Sequence, residues 1–338
     1  MKTRLFILSG LILFVIPLWL QLRKGFTAAQ LQLTSTPAFS LYLPLIQKPE
    51  ITWSQTSQGM ETADFFTFAV SPAYSIDKTL FAGTYMFTGG GTGGAIYKSI
   101  DGGVSWQLVN DGLAGEAITT LAISPNYFTD RTLFVGTLGS CSSGSIHKST
   151  DGGISWESSG TFSQNAEDIA ISPSYATDFT VFATVGYGVY KTINGGATWI
   201  GVYTRPLSYG WATKLAISPA YSTDHIVFVK SGNYEVSKST DGGAMWTQLP
   251  PLSGVVNAIA ISPNYLIDQT LFATVSSANP YFLKIYKSID SGLSWVQVSP
   301  NLPPALNKNS IQISSGYASD HTLYVIASSN YTTILQTG

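Results

Sequence analysis

Residues 147–156 read HKSTDGGISW. A hydroxyl residue, an aspartate, two glycines and a tryptophan stand at fixed spacing. The spacing suits a loop that holds a cation, a phosphate or a sugar. It suits a structural turn equally well. Repetition decides between them. The string returns as YKSIDGGVSW (97–106), YKTINGGATW (190–199), SKSTDGGAMW (237–246) and YKSIDSGLSW (286–295). A second motif alternates with it: AVSPAYSIDKTLFAGT (69–84), AISPNYFTDRTLFVGT (122–137) and AISPSYATDFTVFAT (170–184). Its later copies are AISPAYSTDHIVFVK (216–230), AISPNYLIDQTLFAT (260–274) and QISSGYASDHTLYVI (312–326), the last without its proline.

The two motifs recur every 44 to 52 residues or so, about one propeller blade. Each period holds four strand-like segments. In the second copy they are AITTLAIS, RTLFVGT, GSIHKST and GISWESS. Short β-branched and aromatic runs between turn signals predict a four-stranded antiparallel sheet. Four strands per period of this length predict a β-propeller. Six Ser-Pro motifs against five tryptophan motifs leave one blade incomplete. The chain ends at YTTILQTG, which reads as a third strand. ITWSQTSQG (51–59) resembles the fourth-strand segment SWQLVNDGL. The expectation is therefore an all-β, six-bladed propeller. Residues 51–57 supply the outer strand of the C-terminal blade, with Trp53 in the role of the repeat tryptophans. Closure of this kind would hide exposed strand edges. Seven blades, one truncated, is the competing count.

The pattern S-x-D-x-G-x-[ST]-W resembles the Asp box, or BNR repeat. That repeat occurs in sialidases, sortilin-type receptors, xyloglucan-cleaving enzymes and photosystem II assembly factors. The resemblance covers residues 51–338 and implies a propeller. It implies no single activity, because one fold hosts many functions. The residues themselves favour a structural turn. Asp101, Asp151, Asp241 and Asp290 suit acceptance of turn N–H groups, as does the uncharged Asn194. Gly103, Gly153, Gly196, Gly243 and Gly292 suit a positive φ. Trp106, Trp156, Trp199, Trp246 and Trp295 suit packing in or between blades. Calcium takes several oxygens, and each loop offers one carboxylate or none. No P-loop lysine follows the glycines, and GGGTGG (89–94) lacks one too. In the Ser-Pro motif, Asp77, Asp130, Asp178, Asp224, Asp268 and Asp320 suit capping of the turn into the second strand. His225 and His321 occupy repeat positions, which leaves His147 and no zinc cluster. No metal and no cofactor is expected.

Composition sets the compartment. Hydrophobic residues make up 44% of the 338 and charged ones 11%, which suits an extracellular all-β protein. Lys2 and Arg4 precede the apolar run Leu5–Leu22, and Arg23 and Lys24 follow it. Residues 1–29 read as a signal peptide or a membrane anchor. Residues 30–50 read as a linker, apolar at SLYLPLIQKP, and residues 51–338 as the propeller. Without residues 1–29 the chain has 13 basic and 19 acidic residues, a net charge of −6. That argues against nucleic acid as a partner. Cys141 is the single cysteine, so no intramolecular disulfide forms. The chain is read as a monomer.

Alternating strand direction puts both repeated motifs on one face. The connections from strand two to three and from strand four to the next blade lie on the other, where function is expected. That loop face carries Glu61, Asp64, Glu116, Glu167 and Asp168, the loop TRPLSYGWATK with Arg205, Tyr209, Trp211 and Lys214, and the aromatics Tyr85, Phe87, Tyr187, Tyr234, Tyr281, Phe282 and Tyr331. Trp211 is the one exported tryptophan the repeat does not explain. Aromatics with scattered acids suit a glycan or peptide surface. They also suit ordinary loops of a Tyr-rich protein. Sialidase chemistry needs three arginines on the substrate carboxylate. Beyond residue 29 only Arg131 and Arg205 remain, so sialidase activity is rejected. A glycoside hydrolase needs two carboxylates, for which Glu61, Asp64, Glu116 and Glu167 are candidates. The ligand-binding candidates are Trp211, Tyr209, Arg205, Tyr187, Tyr234 and Tyr281. Assembly factors of this repeat carry an arginine-rich face, and sortilin-type receptors carry cysteines and more blades. This chain lacks these features. The reading that results is an exported or membrane-tethered binding module for an unknown glycan or protein, with glycoside hydrolysis as the alternative.

Overall fold

The computed structural model describes side chains for residues 66–85, 93–113, 115–138, 143–204, 213–277, 282–302 and 311–325, and Gly59; elsewhere it describes the backbone of the strands named below. An N-terminal sheet contains β1 (Arg4–Leu8), β2 (Leu11–Val15), β3 (Tyr42–Gln47) and β4 (Glu50–Gln55). Six repeat sheets follow. The first has β5 (Ala63–Val70), α1 (Tyr74–Asp77), β6 (Leu80–Phe87), β7 (Ile96–Ser99) and β8 (Gln107–Leu108). The second has β9 (Ala117–Ile123), α2 (Tyr127–Asp130), β10 (Leu133–Leu138), β11 (Gly144–Ser149) and β12 (Glu157–Phe162). The third has β13 (Ala166–Ile171), α3 (Tyr175–Asp178), β14 (Val181–Val185), β15 (Gly188–Thr192) and β16 (Ile200–Thr204). The fourth has β17 (Ala212–Ile217), α4 (Tyr221–Asp224), β18 (Val227–Ser231), β19 (Val236–Ser239) and β20 (Thr247–Gln248). The fifth has β21 (Val255–Ile261), α5 (Tyr265–Asp268), β22 (Leu271–Ser276), β23 (Leu283–Ser288) and β24 (Val296–Gln297). The sixth has β25 (Asn307–Ile313), α6 (Tyr317–Asp320), β26 (Leu323–Ser328) and β27 (Thr332–Thr337).

Every repeat sheet is antiparallel, and its strands neighbour one another in chain order. The first strand of each lies against the first strand of the next, from β5 through β9, β13, β17 and β21 to β25. Radial contact of this sort is the architecture of a β-propeller. Apolar side chains from neighbouring sheets fill the space between them. Phe81 and Ile96 of the first repeat sheet share a core with Ile118, Leu133, Val135 and Trp156 of the second.

The Asp-box turn is built as its residues dictate. Asp151 accepts hydrogen bonds from the Ser155 backbone N–H (3.0 Å), the Ile154 N–H (2.9 Å) and the hydroxyls of Ser149 (2.7 Å) and Ser155 (2.6 Å). Asn194 does the same with Thr198 N–H and the Thr192 hydroxyl, without a charge. The second glycine of each box has a φ between 86° and 95°, where a Cβ is disfavoured. The indole N–H of Trp156 donates to the Val109 carbonyl (3.0 Å), and that of Trp246 to the Val202 carbonyl (3.1 Å). These tryptophans therefore join one sheet to the previous one.

The Ser-Pro motif forms a single helical turn that the sequence reading did not anticipate. Its last residue is the aspartate. Asp130 accepts from the Ser124 hydroxyl (2.6 Å) and the Thr132 N–H (2.9 Å), which fixes the entry to β10. The residue after each turn is left-handed without being glycine: Lys78, Arg131, Phe179, His225, Gln269 and His321. The two histidines meet Tyr221 and Tyr317 of their own turns edge-on. In each box the first turn glycine, or serine, donates to the carbonyl of that left-handed residue, as Gly152 N–H does to Arg131 (2.9 Å). Both motifs therefore occupy one face.

One expectation is corrected. The sixth repeat sheet has three strands, β25–β26–β27, and β4 does not pair with it. β4 pairs with β3 across a tight hairpin in which Gln47 faces Glu50. Closing this short local loop costs far less chain entropy than joining the two ends of the chain. The likeness of 51–59 to a fourth strand nevertheless holds. β4 is the edge strand of its sheet, in the order β2–β1–β3–β4. Gly59 sits over the Trp106 carbonyl as Gly112 sits over that of Trp156. The sheet so completed is the N-terminal one, whose strand β2 lies against β5, β25 and β26. Trp53 falls in β4, and its side chain is outside the described residues. Among the described residues, no helix is long and apolar enough to cross a membrane.

Candidate functional site

The loop face is carried by the β-hairpin turns between second and third strands and by the connections between sheets. Its described acids are engaged by protein groups. Glu116, just before β9, accepts from the Thr137 hydroxyl on β10 and lies 3.4 Å from His147 Nε2 on β11. His147 is buried, and among the described residues its Nδ1 has no partner. Tyr97, Tyr190 and Tyr286 stand at the matching position of other repeats, each across from the residue that matches Val135. His147 thus replaces a tyrosine and brings a nitrogen to Glu116.

Glu167 and Asp168 separate as strand geometry demands. A bulge in β13 sets Glu167 aside from the ladder. Its Oε1 accepts from the Asn165 side-chain amide (3.2 Å). Asp168 crosses to the fourth repeat sheet. Its Oδ2 accepts from the Leu215 backbone N–H (2.9 Å), and its Oδ1 lies 3.7 Å from Lys214 Nζ. Asp168 thereby bolts β13 to β17.

The described aromatics are spread over several turns. Tyr187 is half-buried between β14 and β15, and Tyr234 is 50% exposed between β18 and β19. Tyr85 packs on Phe66, with ring centroids 5.0 Å apart. Phe282 donates its N–H to Ser277 Oγ (2.9 Å), closing its own hairpin turn. Glu61, Arg205, Tyr209, Trp211, Tyr281 and Tyr331 lie outside the described residues. Asp64 and Phe87 are placed in β5 and β6 by backbone alone. Among the described residues no group of three or more His, Cys, Asp or Glu side chains is arranged to hold a metal.

Two residues here escaped the sequence reading. In the sequence His147 belongs to no zinc cluster, and Lys230 is only the last residue of a Ser-Pro motif. The signal for both was a break in the repeat: His where three other copies carry Tyr and one Ser, and Lys where four others carry Gly or Thr and one Ile. Lys230 ends the run VFVK where its neighbours read VFAT and LFAT. It stands directly across the ladder from Lys214. Burial first, then Lys214, lowers the Lys230 pKa, while Glu167 pulls it the other way.

No family model and no curated protein matches this sequence. Solved structures do. A GH74 xyloglucanase from Xanthomonas campestris matches at 15% identity and a TM-score of 0.59, over 89% of this chain and 49% of that one. Sqt1 of Saccharomyces cerevisiae matches at 12% identity and a TM-score of 0.61, over 88% of this chain and 79% of that one. YCF48, solved bound to D1 peptide, matches at 15% identity and a TM-score of 0.52, over 80% of this chain and 77% of that one. The likeness is one of fold. The chain is a β-propeller repeat protein, and it spans about half the length of the xyloglucanase it matches.

Proposed function

We propose that this chain is an exported or membrane-tethered β-propeller that binds a glycan or a peptide through its loop face and does not hydrolyse it. One observation carries the reading. The described carboxylates of that face are held by protein donors: Glu116 by Thr137 and His147, Glu167 by Asn165, and Asp168 by Leu215 and Lys214. A hydrolase of the two-carboxylate kind needs an acid and a base or nucleophile free to reach the sugar. Groups already tied to the scaffold serve as struts.

Export is supported by the apolar run Leu5–Leu22 between basic residues, and the excess of acids weighs against nucleic acid. The propeller neighbours include a protein solved with a peptide bound, which fits a binding role. Glycoside hydrolysis is the second reading, favoured by the likeness to GH74 enzymes. It is weakened by the match, which covers 49% of one such enzyme and 39% of another. The test is a glycan and peptide array run beside a hydrolysis screen on the same polysaccharides. The expected result is saturable binding without products. Release of shortened chains would overturn it.

A further inference from the structure

Lys230 fits its surroundings poorly. At its register position the first, second, third and fifth repeat sheets place Gly83, Gly136, Thr184 and Thr274, opposite Thr67, Thr120, Asp168 and Ala258, and the sixth places Ile326 opposite Ser310. These positions are small for a reason in the first two sheets. A Cβ on Gly83 would lie 2.8 Å from Ile118 Cγ2, and one on Gly136 would lie 2.8 Å from Ala166 Cβ. The fourth repeat sheet instead sets two lysines face to face, Lys214 and Lys230. Like charges directly opposite on a ladder repel. Asp168 relieves Lys214 at 3.7 Å. Among the described residues no hydrogen bond or ion pair reaches the Lys230 ammonium, although the residue is half-buried. An unpaired charge drawn out of water destabilises a fold. Glu167 attracts the ammonium without an ion pair to it and is held by Asn165, so the position suits a further anion brought by a ligand.

Location narrows the choice. Lys230 lies one residue from the end of β18, where the Ser231–Glu235 turn begins, so it sits at the loop face. The same turn carries the exposed Tyr234, and the corresponding turn of the third repeat sheet carries Tyr187. A tyrosine ring offers a flat apolar face to a sugar ring. A lysine offers a compact positive point to one carboxylate, without the planar fork with which arginine grips phosphate. On the reading of this face as a binding surface, we infer that Lys230, with Lys214 behind it, receives the carboxylate of a uronic-acid unit in an acidic glycan.

Titration calorimetry on the full chain tests this with oligogalacturonate, a neutral xyloglucan oligosaccharide and polyglutamate as probes. Oligogalacturonate should bind, with affinity falling as salt rises. Lys230→Met should weaken that binding roughly tenfold or more, the worth of a charge-assisted hydrogen bond. The same variant should melt no lower than the parent, because it sheds an unpaired charge. Equal affinity of parent and variant for oligogalacturonate would overturn the assignment. So would a lower melting temperature of Lys230→Met, which would reveal a protein partner for the ammonium. Binding of the xyloglucan oligosaccharide alone, or of polyglutamate alone, would overturn the uronate and leave the binding reading intact. Failure of all three probes overturns the uronate, while the array still tests the broader reading.

Discussion

At the scale of single residues, the Asp box is a carboxylate trapped by its own turn. Asp290 is held down to about 2 by the Ser294 hydroxyl, the Ser294 N–H and the Ser288 hydroxyl, which all favour the charged form. Asp151 also reaches about 2; burial pushes it up, and the hydroxyls and N–H groups of the turn outweigh that. The sign of the linkage follows. A folded pKa below the unfolded value of about 3.9 adds stability above that pH, and the gain is lost as pH falls through the folded value. Asn194 makes the same turn with no proton to take up. Asp290→Asn should therefore lose less melting temperature between pH 4 and pH 2 or so than the parent chain does. Thermal melts followed by circular dichroism across that range check it. Parallel losses in both proteins would mean that the carboxylate does not couple to folding.

At the scale of elements, the two motifs serve as latches between sheets. Lys98 on β7 lies over the Phe81 ring at 5.6 Å and donates to the Gly152 carbonyl of the next sheet (2.7 Å). Tyr127 of α2 donates to the same carbonyl (3.2 Å) and meets Phe81 edge-on, with ring centroids 5.7 Å apart. Lys191 repeats the bond to Gly242 at the next-but-one junction, and Lys238 reaches the Ser291 hydroxyl instead. One carbonyl served by two donors predicts coupling. Lys98→Met and Tyr127→Phe should each cost about 1 kcal/mol, and the pair together about 1 kcal/mol more than their sum, because only the double variant strips the carbonyl. Denaturant unfolding of the four proteins in the cycle measures this, and simple additivity would sink it. Sequence made these elements legible where the physics is local. An aspartate two or four residues before a backbone N–H announces its own hydrogen bonds. The helical turn of the Ser-Pro motif stayed hidden because four residues give no periodicity to read. Lys98, Phe81 and Tyr127 went unassigned because they act across sheets, between residues 46 positions apart in the case of Phe81 and Tyr127. The loop face was the least legible. Its position followed from strand direction, but the partners of Glu116 and Asp168 come from other strands, and only a broken repeat marked His147 and Lys230.

At the scale of the whole molecule, the ends of the chain decide how the array is finished. The sequence reading closed it with residues 51–57 on the last sheet. The structure places that strand on the edge of an N-terminal sheet that touches both the first and the last repeat sheets. Two of its four strands, β1 and β2, come from the segment that also reads as a leader or anchor. Both roles cannot be held at once by a cleaved segment. The described core clusters run from Ala69 to Val325 and draw on each repeat sheet, so contacts between neighbouring repeats supply the described core. Arrays of this kind gain most of their stability from neighbour contacts, and loss of a terminal unit costs one set of them. A chain of residues 30–338 should therefore still unfold in one cooperative transition, at a melting temperature several degrees lower, in a circular dichroism melt. The drop would measure what β1 and β2 contribute through β5, β25 and β26. A truncated chain without a cooperative transition would make these strands an integral part of the propeller, and would end the reading of residues 1–29 as a removable leader.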